Sequence, residues 1–167
     1  DSKYTNTFCA NLSELGILQN NKVIVRSNKK PKYLSPDLPW APLYSSRFRS
    51  LVGDTATYDA VFIHLFSPLM YRWVAGNTFK ELNWMVWGAD LYNLPFIRQN
   101  FYEAITRKHL SKSNSVNEWL YLLKVWVTNM PYKNKAYSKV DHVLTWMESE
   151  HTFARTHLSS LHAGRKF

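Results

Sequence analysis

Apolar residues along this chain form two kinds of pattern, which alternate from one end to the other. Short runs of β-branched and aromatic residues are typical of buried strands, and apolar positions three and four apart are typical of amphipathic helices. The runs predict strands at 22–26, 60–65, 82–87 and 140–145, and the stripes predict helices at 6–18, 45–51, 67–76, 95–110, 115–129 and 148–160. Alternating strands and helices favour a parallel sheet with right-handed crossovers and helices on both faces. We therefore predict a four-stranded parallel α/β sheet flanked by helices.

Two segments between these elements carry local signals. Four prolines fall within residues 31–42, a density that predicts an ordered loop or flap without regular structure, and Trp40 lies inside it. Ser67 followed by Pro68 is typical of a helix start, in which the hydroxyl caps the first turn and proline occupies it. We expect the Ser67 side chain to cap the helix at 67–76.

The segment 82–92 is the one around which we expect the rest of the chain to be organised. In a regular strand Asn83, Met85 and Trp87 share one face while Trp84 and Val86 share the other, so both faces are mostly apolar. This composition is typical of a central parallel strand buried on both sides. The strand is followed by a glycine and a carboxylate, at the edge where open α/β sheets bind their ligands.

Composition narrows the class of protein. A chain of 167 residues has the length of one domain, and its 16% aromatic content predicts an aromatic-rich core. A net charge of +9 favours an anionic partner, which includes nucleic acid, nucleotide or lipid phosphates and a membrane surface. Cys9 is the one cysteine, which excludes an intrachain disulfide. No apolar run approaches the roughly 20 residues of a spanning helix.

Several common motifs are missing from the sequence. It contains no Gly-x-Gly-x-x-Gly, no phosphate-binding Walker loop, no His-Glu-x-x-His and no Gly-x-Ser-x-Gly. His151 and His157 are six residues apart, which is not the spacing of a helical metal-binding pair. We expect neither a metal nor a cofactor.

The order Trp84-x-x-Trp87-Gly88-Ala89-Asp90-Leu91-Tyr92, preceded by Phe62-Ile63-His64 and followed by the segment 140–157, resembles a family of glycosyltransferases. These enzymes add 4-acetamido-4-deoxy-fucose to a lipid-linked disaccharide in the synthesis of enterobacterial common antigen. The resemblance implies a GT-B architecture of two Rossmann-like domains, of which residues 1–167 form the single N-terminal, acceptor-side domain. It also implies a dTDP-sugar donor bound by a missing second domain, a polyprenyl-diphosphate-linked acceptor, and a peripheral position on the cytoplasmic face of a bacterial inner membrane.

The start at Asp1 without a methionine fits this interpretation, and we expect a fragment that lacks its first strand and its donor-binding domain, and that is inactive alone.

Asp90 and His64 are the candidate catalytic residues. Asp90 stands where the central strand leaves the sheet, and its carboxylate can take the proton of an acceptor hydroxyl as the sugar is transferred. The competing interpretation is a cap on the backbone that follows it. His64 ends the neighbouring strand and can bond acceptor hydroxyls or act as the base, or it can be a buried histidine bonded to backbone.

Further residues are candidates for binding. Trp87 and Tyr92 can form a platform for a sugar ring or can belong to the core, and Gly88 lets a ligand approach the backbone. Arg98 is a candidate for binding the pyrophosphate of a substrate, and Trp40, Arg47 and Arg49 are candidates for contact with a membrane or a phosphate. A solvated basic face is the ordinary interpretation of each cation.

The competing functional class is a non-catalytic or nucleic-acid-binding basic α/β domain. A positive charge together with many aromatic residues can serve phosphate contact and base stacking. No RNA- or DNA-binding motif accompanies them, and the basic residues are spread over several elements, so we expect no nucleic-acid partner.

Overall fold

The computed structural model describes residues 2–86 and 116–157. The chain forms two compact units, residues 1–54 and 55–167. We describe each unit by itself, and the single domain expected from the length of the chain stays a prediction. In coarse terms the fold is mixed α/β, with small parallel sheets flanked by helices, which is consistent with the predicted Rossmann-like class.

The first unit contains a two-stranded parallel sheet, with one helix before it and one after it along the chain. Its elements are α1 (Ser2–Glu14), β1 (Val25–Arg26), β2 (Trp40–Ala41) and α2 (Ser46–Val52). In the sheet Val25 pairs with Trp40, and the Val25 amide donates a hydrogen bond of 2.9 Å to the Pro39 carbonyl. The expectation that 31–42 lacks regular structure is therefore wrong at its end. Pro39 and Pro42 flank β2, and proline cannot donate to a ladder, which explains why this strand has only two residues.

Helix α2 begins and ends as its sequence predicts. The Ser45 hydroxyl accepts a hydrogen bond from the Phe48 amide at 3.0 Å, and so caps the first turn. Gly53 follows the last residue with a φ of +69°, a backbone conformation that glycine adopts without steric cost. The helix predicted at 45–51 is confirmed, displaced by one residue.

The second unit is built on a three-stranded parallel sheet. Strands β3 (Val61–His64), β4 (Leu82–Met85) and β5 (His142–Leu144) lie in that order, so β4 is the central strand. The prediction of a central parallel strand is confirmed, because Leu82, Asn83 and Trp84 are all buried. At the amino ends of β4 and β5, the Asp141 carboxylate accepts a hydrogen bond of 2.9 Å from the Leu82 amide. This carboxylate stabilises the register of the two strands.

The predicted number of strands in this sheet is wrong for the part of the chain that the structure describes. The strand expected at 22–26 pairs with β2 in the first unit, which leaves three strands in the second. Periodicity identifies a buried strand but does not name its partner. The described helices of the second unit are α3 (Tyr71–Gly76), α4 (Val116–Asn129), α5 (Lys133–Tyr137) and α6 (Glu148–His157). The helix expected at 95–110 lies outside the described residues.

The core of the second unit is a cluster of aromatic side chains on one face of the sheet. Phe66, Tyr71, Trp84 and Tyr137 are fully buried, and their ring centroids are 5.3 to 5.8 Å apart. The hydroxyls of Tyr71 and Tyr137 are joined by a hydrogen bond of 2.8 Å, which gives each of these buried polar groups a partner inside the cluster. The expectation of an aromatic-rich core is confirmed.

No helix within residues 2–86 and 116–157 has the length and apolar character needed to cross a membrane.

Candidate functional site

His64 lies at the edge of the sheet where ligands of open α/β folds bind. It is the last residue of β3, and in the strand register it stands level with Met85 of β4, which stands level with Leu144 of β5. Strands of a sheet are about 4.8 Å apart, so the ends of β3 and β5 are separated by roughly 10 Å. The His64 side chain is half-buried. Its predicted place at the end of the strand next to the central one is confirmed, and its role stays a prediction.

The backbone turns sharply directly after His64. Leu65 has a φ of +61°, which is unusual for a residue other than glycine and costs about 1–2 kcal/mol. The turn separates a half-buried His64 from Phe66, which belongs to the buried aromatic cluster. Strained conformations of this kind occur preferentially at functional sites.

The Ser67 hydroxyl does not cap the helix that follows. Its side chain makes no capping hydrogen bond, and its buried Oγ has no partner among the described residues. The capping prediction is therefore wrong, although a 3-10 turn at Pro68–Met70 and then α3 do begin at the predicted place. Proline in the first turn already lacks one of the amides that a cap would satisfy, which reduces the need for one.

A groove of about 340 Å³ opens at the same edge of the sheet, beyond β5. Its lining runs along the chain from the end of the strand into the first turns of α6, and comprises Val143, Leu144, Thr145, Trp146, Met147, Glu148 and His151. Trp146 is 77% exposed, the largest exposed fraction among the exposed large hydrophobic residues that the structure describes. The Thr145 hydroxyl donates to the Met147 carbonyl at 3.1 Å, which fixes the turn that carries Trp146.

The groove combines an aromatic ring with polar side chains. Glu148 is exposed and is the first residue of α6, and His151 follows it by three residues, so the two share one side of the helix. A carboxylate and an imidazole can bond hydroxyl groups, and an exposed indole offers an apolar face. These residue types together suit a neutral, hydroxyl-rich ligand.

In the first unit, two of the three residues predicted to contact a membrane or a phosphate interact with each other. The Arg47 guanidinium carbon lies 5.4 Å from the centroid of the Trp40 ring, within the range of a cation–π interaction. Trp40 is half-buried in β2, and Arg47 and Arg49 are exposed on α2. Arg49 stands two positions from Arg47 on the helix and therefore points in a different direction.

The remaining predicted site residues lie outside the described residues; these are Trp87, Gly88, Asp90, Tyr92 and Arg98. Trp146 and Glu148 were not predicted as site residues, and His151 was considered only as a metal ligand and set aside. Asp90 and His64 were selected because they stand where a strand leaves the predicted sheet, and the same rule applied to the strand predicted at 140–145 would have selected the turn at 145–148.

Within the described ranges, no three His, Cys, Asp or Glu side chains come together in a way that would hold a metal ion. Comparisons with protein-family models, with curated proteins and with solved structures find no match to this chain.

Proposed function

We propose that this chain is the acceptor-side part of a GT-B glycosyltransferase, which moves a 4-amino-sugar such as N-acetylfucosamine from a dTDP-sugar to a polyprenyl-diphosphate-linked saccharide. The single observation that carries the proposal is the carboxyl edge of the three-stranded parallel sheet. There His64 is the last residue of β3, and Leu65, which has a positive φ, follows it. A groove lined in part by Trp146, Glu148 and His151 lies beyond β5.

The groove supports the acceptor part of this proposal. Sugars present hydroxyl groups around their rims and C–H groups on their faces, so a saccharide pairs well with an exposed indole and neighbouring polar groups. In this role Trp146 packs against a sugar ring, and Glu148 accepts a hydroxyl hydrogen bond. The separation of roughly 10 Å between the ends of β3 and β5 is comparable with the length of a disaccharide.

The chemistry requires one base at this edge. The base takes the proton of an acceptor hydroxyl while the oxygen attacks the anomeric carbon of the donor, and the bond from that carbon to the dTDP phosphate breaks. Asp90 and His64 are the two candidates, because the sequence predicts that each stands where a strand leaves the sheet. We assign the base to Asp90, with His64 as the alternative.

The experiment is a transfer assay on the protein as its gene encodes it, with dTDP-sugars as donors and a polyprenyl-diphosphate-linked disaccharide as acceptor. We expect Asp90→Asn to lower kcat by about two orders of magnitude or more, the usual scale for a positioned base. Trp146→Ala is expected to raise KM for the acceptor with a smaller change in kcat, because it removes binding that is shared by ground state and transition state.

Circular dichroism provides the control for folding of each variant. Full activity in a folded Asp90→Asn protein would move the base to His64, and His64→Ala would then be the variant that loses turnover. A wild-type protein that consumes no dTDP-sugar with any lipid-linked saccharide would overturn the proposal.

A further inference from the structure

Helix α4 has one side that packs against the rest of the unit and one that is exposed. One side packs against the 3-10 turn at Pro68–Met70 and against α3, with Asn129 4% exposed. The other side carries Leu120, Leu123 and Val127 at spacings of three and four, and these are 51%, 42% and 58% exposed. A helix that packs on one side only is normally polar on the other. The solvent side of α4 therefore requires an explanation.

Trp126 extends this surface and is itself 63% exposed. We call the four side chains Leu120, Leu123, Trp126 and Val127 the outer face of α4. Leucine, valine and tryptophan together are the residues that amphipathic helices bury at the boundary between headgroups and acyl chains, where tryptophan is favoured. The helix itself has fourteen residues, which suits a position in the plane of such a boundary and not across it.

The charges around the outer face indicate what covers it. Residues 116–140 contain four lysines, Lys124, Lys133, Lys135 and Lys139, and one carboxylate, Glu118. Lys124 on α4 and Lys135 on α5 are exposed. The Lys139 amine is engaged, because it donates to the Asn77 carbonyl, and burial lowers its pKa with a smaller effect from Lys135. Lys124 stands four positions from Leu120 and three from Val127, so an exposed cation borders the outer face, and such a surface is complementary to an anionic apolar partner.

Trp146 provides an internal contrast. It is equally prominent at the surface, yet the exposed Glu148 stands two positions from it, and residues 140–154 contain no lysine or arginine. This carboxylate would repel an anionic surface. Among the described residues of the second unit, the exposed Trp126 has an exposed lysine, Lys124, two positions away, and the exposed Trp146 has an exposed glutamate two positions away.

We propose that the outer face of α4 is a membrane-docking surface, which inserts Leu120, Leu123, Trp126 and Val127 into the interface of a bilayer that carries anionic lipid. This inference rests on the proposed function for its purpose, since a lipid-linked acceptor resides in such a bilayer. The contact between α4 and the bilayer does not itself depend on sugar transfer. It places the contact on α4 and not on Trp40, whose ring is already covered by Arg47.

The test is co-sedimentation of the protein with vesicles of phosphatidylethanolamine and phosphatidylglycerol, with phosphatidylcholine vesicles as the neutral comparison. We expect binding to the anionic vesicles that Trp126→Ser weakens about tenfold, the order expected when one large buried apolar side chain is lost. Trp146→Ser is the matched control and should leave vesicle binding within about twofold of wild type, because its acidic surroundings keep it off an anionic surface. Lys124→Glu should weaken binding to anionic vesicles about tenfold or more, with little effect on neutral ones.

A second measurement locates the contact. A fluorophore that responds to polarity, attached through Leu123→Cys, should report an apolar environment on adding anionic vesicles, whereas the same label at Ser149→Cys on α6 should not. Cys9 is buried and burial raises its pKa, which limits its competition for the label.

Three results would overturn the proposal: no binding of wild type to anionic vesicles, equal losses from Trp126→Ser and Trp146→Ser, or a dimer in solution that Trp126→Ser dissociates. The last would assign the outer face to a second copy of the chain. No donor or acceptor is present in these measurements, so a failure of docking is distinguishable from a failure of sugar transfer.

Discussion

The described aromatic residues of the second unit include an interior cluster and two highly exposed tryptophans. In the cluster, Trp84 is fully buried among Phe66, Tyr71 and Tyr137, and the polar groups of the two tyrosines bond each other. At the surface, Trp126 and Trp146 are 63% and 77% exposed. The same residue type therefore serves stability in one region and, in our proposals, contact with partners in the other. The residues that surround each tryptophan decide which of these two roles it has.

The largest effect expected from this contrast is on the free energy of unfolding. Trp84→Ala removes the centre of the buried cluster and should destabilise the protein by about 3–5 kcal/mol. Trp126→Ala and Trp146→Ala should each change the free energy of unfolding by no more than about 0.5 kcal/mol, as is usual for exposed side chains. Urea denaturation followed by circular dichroism measures all three. Similar losses for the buried and the exposed tryptophans would contradict the division.

A smaller effect is expected from the hydrogen bond inside the cluster. Tyr137→Phe preserves the ring contacts but removes this hydrogen bond from the buried Tyr71 hydroxyl, which should cost about 1–3 kcal/mol. The double variant Tyr71→Phe with Tyr137→Phe should cost less than the sum of the two single variants, because both ends of the same hydrogen bond are then removed together. Additive losses would mean that the hydroxyls are satisfied in some other way.

The turn at Leu65 lies between the buried cluster and the exposed edge. Because Leu65 has a positive φ, the stability of the protein should depend on how well the residue at this position tolerates that conformation. A β-branched residue is strongly disfavoured at positive φ, so Leu65→Val should destabilise the protein by about 1–2 kcal/mol. Leu65→Asn should be more stable than Leu65→Val by about 1 kcal/mol, because asparagine tolerates this conformation. Thermal unfolding of the two variants side by side provides the measurement. Equal stability of both would indicate that the turn carries no strain.

The smallest effect is expected at a surface ion pair far from both kinds of aromatic site. The Lys80 amine bonds the fully exposed Asp59 carboxylate at 2.8 Å, and this bond, with the attraction between the charges, lowers the pKa of Asp59 from its ordinary value of 3.8. The pair therefore contributes above the unfolded-state pKa of Asp59, and its contribution is lost as the pH falls through the lowered folded-state pKa. Lys80→Gln should raise the pKa of Asp59 toward its ordinary value in an NMR titration. An unchanged titration would mean that the pair does not persist in solution.

Local sequence signals predicted the elements of the fold well. The central strand was identified from its apolar character on both faces, α2 from the spacing of its apolar residues, and the place of His64 from its position at the end of an apolar run. Each of these depends on residues that are neighbours along the chain, and short-range sterics, capping and burial act at that distance. The sequence alone therefore determined which segments of the second unit are strands and where the sheet edge presents its side chains.

Tertiary structure alone decided how those segments are used. It paired the strand at 25–26 with Trp40–Ala41 and left three strands in the main sheet, and it turned Ser67 inward where a cap was expected. It also left Trp126 and Trp146 exposed, which their apolar neighbours along the chain do not predict. Whether a side chain is covered depends on contacts between residues far apart in sequence, and periodicity reports only that a helix or strand has an apolar side, not whether another element of the chain packs against it.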